Sequence, residues 1–148
     1  MPVNIERIRE RLLYIREQVS VLEPLSKDAD LRASRMRDQL SYSGIVRNLQ
    51  TSIEAMIDIA FHLCAKLYAK EPESAAHAFE ILAERGDVPK EFLPRVLEMV
   101  RFRNLVVHGY LHTKPELVEK IITDDLGDFA AWEKIISQLA SHKKWNKD

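Results

Sequence analysis

Apolar residues recur along this chain at intervals of three and four, the spacing that gathers them on one face of an α-helix. Ile5, Ile8, Leu12, Leu13, Ile15 and Val19 form the first such stripe, with Asn4 placed to cap its start and Pro24 just beyond its end. A longer helix is predicted from about Asp30 to Lys70, turning Ile45, Leu49, Ile53, Met56, Ile57, Ala60, Leu63 and Leu67 inward. Gly44 is placed to kink or split it. Glu71 to Ser74 ends that helix and caps a short third one, whose stripe is Ala75, Ala78, Phe79, Leu82 and Ala83 and which closes at Gly86-Asp87-Val88-Pro89. A fourth is expected from near Lys90 through Leu93, Val96, Leu97, Val100 and Val107 to a stop at Gly109. Two last helical stretches, about Pro115 to Asp124 and Leu126 to Leu139, precede a polar tail, Ser141 to Asp148, that reads as mobile. No strand alternation, repeat or low-complexity linker interrupts this pattern, so the prediction is one all-α domain over residues 1–148.

Composition agrees: 46% of the 148 residues are hydrophobic and 30% charged, with only 4 Gly and 6 Pro, as in a packed chain rich in helix formers. Apolar runs such as Ala60-Phe61-His62-Leu63-Cys64-Ala65 fall far short of the roughly 18 residues of a membrane span. The start, Met1 to Glu6, has no apolar core of a secretory signal, and the cytoplasm is the expected compartment. Cys64, the single cysteine, lies among apolar neighbours and reads as an inert core thiol. With 22 basic and 23 acidic residues the net charge is −1, so the total gives no ground for a general attraction for nucleic acid. Any such contact must be local. The candidates are Arg32, Arg35 and Arg37, then Arg95, Arg101 and Arg103, two clusters that meet only if the fold joins them. Solvated helix faces are the alternative reading.

One segment carries recognisable chemistry: Arg103-Asn104-Leu105-Val106-Val107-His108-Gly109-Tyr110. Asn104 and His108 share a helix face, whereas Arg103 points about 140° away from His108 if the helix is regular. Arg103 and His108 converge only if the helix end unwinds or a second chain supplies one of them. Cleaving a phosphodiester requires deprotonating a nucleophile, stabilising charge on phosphoryl oxygens and protonating the leaving group. Arginine suits the second task and histidine the other two. A twofold dimer pairing two such segments would supply acid and base together.

Plainer readings stand beside this one. An arginine on an apolar helix can do no more than pair with a buried carboxylate, and Glu54 and Asp58, one turn apart on the second helix, are candidate partners for Arg103. A histidine at a helix end often only hydrogen-bonds the last carbonyls. His108 and His112 have the spacing of helical metal ligands, but Gly109 between them breaks the helix and no third ligand stands close, so no metal is expected. His62, His77 and His142 read as structural or surface residues. Phosphate-cradling glycine loops, nucleophile elbows and paired hydrolase carboxylates are missing.

Arg103-Asn104, four residues between Arg103 and His108, then Gly109-Tyr110, resembles the R-x4-H-x-Y motif of HepT-like HEPN toxins. Asn48 to Ala60 resembles the long second helix of that family and Phe79 to Gly86 its short third helix, so the likeness covers about residues 5 to 140. The resemblance implies an antiparallel HEPN bundle of about five helices that forms a homodimer with both motifs in one cleft. It implies a metal-independent, cofactor-free endoribonuclease acting on an RNA such as tRNA or mRNA, the toxin of a toxin–antitoxin pair. The antitoxin is an MntA-type minimal nucleotidyltransferase that transfers AMP to the motif tyrosine. By position Arg103 and His108 become the catalytic pair, Asn104 a positioning residue and Tyr110 the AMP acceptor. A second reading keeps the fold as a binding module that docks a nucleotidyltransferase or binds nucleotide without cutting RNA well.

Overall fold

The computed structural model describes residues 2–109, 114–143 and 145. Among them are seven α-helical segments: α1 (Ile5–Lys27), α2 (Ala29–Arg37), α3 (Gln39–Tyr68), α4 (Ala75–Glu84), α5 (Leu93–Val107), α6 (Pro115–Lys120) and α7 (Gly127–Lys143). One π-helical turn, Ile121–Asp125, joins α6 to α7. The described residues contain no strand, as the periodicity predicts, and no helix among them is long and apolar enough to cross a membrane.

Helix α3 is the central element. It buries Ile45, Leu49, Ile53, Met56, Ile57, Ala60 and Leu63, while Leu67 is only partly covered. Helix α1 runs antiparallel to it: the Asn4 amide donates to Nε2 of His62 at 2.9 Å, Arg11 pairs with Asp58 at 3.2 Å, and Val21 and Leu22 lie beside Gly44. On its other side α1 meets α7, again antiparallel, with Arg16 ion-paired to Glu133. Trp132 of α7 is fully buried edge-on to Phe79, 5.4 Å between ring centres, and stacks on Phe92 at 6.5 Å. That one indole ties α7 to α4 and to the entrance of α5.

Four boundaries depart from the pattern-based expectation, each for a local reason. Pro24 lies inside α1, because one further turn buries Leu25 at 6% exposure and offsets the missing amide hydrogen bond. The long second stripe is cut at Asp38, not at Gly44. Asp38 takes an extended conformation and accepts the Ser41 amide at 2.9 Å, as Asp28 does for Leu31 at 3.0 Å, so each aspartate ends one helix and starts the next. The two Ser41 hydrogen bonds hold the Asp38 carboxyl below the usual carboxylate range. Helix α5 begins at Leu93, after a turn in which the Phe92 amide bonds to Pro89 O at 3.0 Å. The expected mobile tail is partly ordered: α7 extends to Lys143, and Trp145, 4% exposed, packs beside Ile5 and Ile8 of α1. Leu13, read as core, is 54% exposed.

Glycine is required at Gly86, where φ is +81° and the chain reverses to let the Asp87 amide reach Leu82 O at 2.9 Å. Asp87 is buried and takes a hydrogen bond from the Tyr68 hydroxyl, with the Arg85 guanidinium 4.5 Å above the Tyr68 ring. Burial, then this carboxylate, pushes the Tyr68 phenol well above its ordinary range. Burial and Asp87 also push the Cys64 thiol up to about 11, and its Sγ faces Ala78 O at 3.5 Å, which leaves it without nucleophilic character.

Two stability measurements follow. A Cβ at Gly44 would meet nothing within 4 Å, so Gly44→Ala should raise stability by about 0.4–1 kcal/mol in urea denaturation through a stiffer unfolded chain. His62 accepts the Asn4 amide only as a neutral ring, and burial, then Arg7 and Lys66, hold its pKa below 6.5. The folded form therefore binds fewer protons than the unfolded one. Stability should be full above pH 6.5 and decline as pH falls below it, more steeply in wild type than in His62→Gln.

Candidate functional site

Arg103 to Val107 of the motif form the end of α5. The helix stays regular to Val107, with the His108 amide bonded to Asn104 O at 3.0 Å. His108 is the C-cap, and Gly109 at φ +77° turns the chain away. No unwinding therefore brings Arg103 and His108 together within this stretch. Arg103 follows the buried Met99 and Val100 by one turn and leans inward, half-buried. His108 follows the exposed Arg101 and Asn104 and faces outward. Val107, beside it, is 53% exposed, unusual for a large aliphatic side chain.

Neither proposed carboxylate partner is hydrogen-bonded to Arg103 among the described residues. Glu54 accepts from Gln50 Nε2 at 3.2 Å, and Asp58, half-exposed, is held by Arg11. The i,i+4 relation of Gln50 to Glu54 was readable in the sequence, whereas the Arg11–Asp58 pair joins distant segments and was not. The Nε of Arg103 is instead buried without a hydrogen-bond partner among the described residues. Tyr110, the expected AMP acceptor, and His112 lie outside the described residues.

The two basic clusters have different fates. Arg32 is consumed in structure: it donates to Leu25 O at 2.9 Å and pairs with Glu119 at 3.2 Å, which clamps α2 to α6. Arg35 and Arg37 stay exposed. Arg95 pairs with the buried Asp128 at 2.9 Å, and Arg101 with Glu98. Because α5 and α6 line one cavity, with Leu105 and Leu117 in its walls, the clamp brings α2 to within one helix of the motif-bearing α5. No cluster of metal-ligating side chains exists among the described residues.

Comparison with known proteins gives a consistent result. The family model described as ribonuclease HepT-like matches residues 4–136. An mRNA nuclease HepT of Shewanella oneidensis is 29% identical over 92 residues, covering 62% of this chain and 69% of that protein. The tri-AMPylated HEPN toxin of the same organism, solved in complex with an MNT antitoxin, superposes with a TM-score of 0.79 at 24% identity, over 89% of this chain and 97% of that one. A cytosolic protein of unknown function from Bacillus subtilis, YutE, superposes with a TM-score of 0.83 at 15% identity, over 100% and 99% of the two chains. At those identities the two structural likenesses speak for the fold alone.

Arg103 offers a direct check on whether its position serves stability. A buried donor without a partner costs about 1–3 kcal/mol, so Arg103→Met should unfold at the same or higher urea concentration than wild type. A loss of more than about 2 kcal/mol would instead mark Arg103 as a structural residue.

Proposed function

This chain belongs to the ribonuclease HepT-like family, and we propose on that footing that it is the toxin of a HEPN and nucleotidyltransferase toxin–antitoxin pair, a metal-independent endoribonuclease. The observation that carries the reading is the regular end of α5, which turns Arg103 inward and His108 outward. One chain alone cannot set this Arg and this His on the same phosphate. Two copies related by a twofold axis can, each lending its exposed Asn104–Val107–His108 face to the other.

In that cleft a neutral His108 takes the proton of the RNA 2′-hydroxyl as its oxygen attacks the phosphorus. Arg103 stabilises the charge that gathers on the equatorial oxygens, and Asn104 orients the phosphate. The bond from phosphorus to the 5′-oxygen breaks, and the leaving oxygen is protonated by water while His108 passes its captured proton to solvent. No step calls for a metal or a cofactor.

The exposed motif end also suits control by a partner. An MntA-type nucleotidyltransferase would bring ATP to the Tyr110 hydroxyl, which displaces pyrophosphate and gains an AMP group. Each added phosphate places negative charge beside the cleft that an RNA phosphate must enter, and the like charges exclude substrate. The pairing of Arg95 and Arg101 with acids favours a second reading, a binding module that docks the nucleotidyltransferase and cuts RNA poorly.

Total RNA incubated with wild type and with His108→Ala in excess EDTA separates the two. The toxin reading expects cleavage by wild type that falls at least about a hundredfold in His108→Ala, with fold and oligomeric state unchanged. Intact RNA with both proteins, under conditions where each binds the nucleotidyltransferase, supports the binding module.

A further inference from the structure

One cavity lies on the same helix as the motif and reaches it at Leu105. It opens between α5 and the α6–π segment, over an apolar floor of Met99, Leu105, Leu117 and Ile121. Its rim is charged: Glu98 and Arg101 on one wall, Lys120 and Asp125 on the other. Each wall thus presents one donor cation hydrogen-bonded to one acceptor carboxylate, Arg101 to Glu98 and Lys120 to Asp125 at 2.9 Å. The second pair spans five positions, a separation that the π-helical register brings onto one face. π-Turns of this kind recur at functional sites.

Resting on the ribonuclease reading above, we propose that this slot is a nucleobase subsite that sets where the RNA is cut, and that guanine fits it best. Arg101 precedes His108 by two turns on the exposed face of α5, roughly 10 Å along the axis, so a base held there belongs to a nucleotide near the scissile phosphate. The floor matches the planar apolar faces of a base. The rim pairs match its edges: guanine offers acceptors at O6 and N7 for an arginine fork, and donors at N1 and N2 for a carboxylate. Arg101 and Glu98 are 67% and 63% exposed, and such surface pairs hold little free energy, so they open readily to a competing base edge. Their near-zero net charge also explains how a chain of net charge −1 selects RNA locally without attracting it globally.

The test uses the full chain carrying His108→Ala, so that binding is read without cleavage, and uridine hexanucleotides with one central G, A or C. Fluorescence anisotropy should give tighter binding of the G-containing strand by about fivefold or more. Leu117→Trp, which fills the slot, and Arg101→Gln, an exposed rim change that leaves the core intact, should each bring the three strands to within about twofold of one another. Equal binding of the three strands by the unfilled protein overturns the subsite, as does a G preference that survives both substitutions. A G preference lost in both variants, in a protein whose His108-bearing form cuts no RNA, keeps the subsite and sinks only the ribonuclease reading.

Discussion

Helix α3 offers apolar side chains around more than half of its circumference, and water must be excluded from all of them at once. Ile45, Leu49, Ile53, Met56, Ala60 and Leu63 are each at most 6% exposed, which no single neighbouring helix can achieve. So α1 lies antiparallel on one side while α4 and α5 close the others. The apolar side chains they bury form one continuous cluster with those of α7. This demand fixes the rotation of α5 about its own axis: Val96, Met99 and Val100 must face α3 and its neighbours, and the remaining turns of the helix follow in phase.

That phase decides the chemistry. Once Met99 and Val100 are inward, Arg103 is inward one turn later and His108 is outward. Half-buried Arg103 has a guanidinium nitrogen that is buried without a hydrogen-bond partner among the described residues, an unfavourable arrangement for stability, and such conflict between local stability and residue identity is characteristic of sites kept for function. The other arginines of α5 show the contrast: Arg95 and Arg101 each have a carboxylate, on Asp128 and Glu98. Arg103 alone among the three has no ion pair among the described residues.

Much of this was legible in the residues. The inner face of α3, the caps at Asn4 and Ser74 and the stop at Gly109 follow from period, cap chemistry and glycine conformation. The motif end was legible too, including the divergence of Arg103 and His108. What escaped depends on tertiary context or on competing local signals. Asp38 and Gly44 both could break the long helix, and a capping carboxylate outweighed a glycine that costs only about 1 kcal/mol in a helix interior. Trp145 sits in a polar stretch and reveals its anchoring role only against Ile5 and Ile8. The partner of Asp58 was set by which turn of α1 came into register with α3. The π-turn, and with it the slot beside α5, left no trace in an apolar period that α6 and α7 share.

Ribonuclease activity of the proposed kind requires Arg103 of one chain and His108 of another to act on one phosphate. Co-expressing differently tagged Arg103→Ala and His108→Ala chains and isolating the mixed dimer tests it directly, because such a dimer keeps one composite site whole and ruins the other. Both single-variant proteins should be inactive on RNA, while the mixed dimer should recover about half of the wild-type rate. A mixed dimer as inactive as its parents would contradict it, and would mean that each chain must supply both residues to the same site.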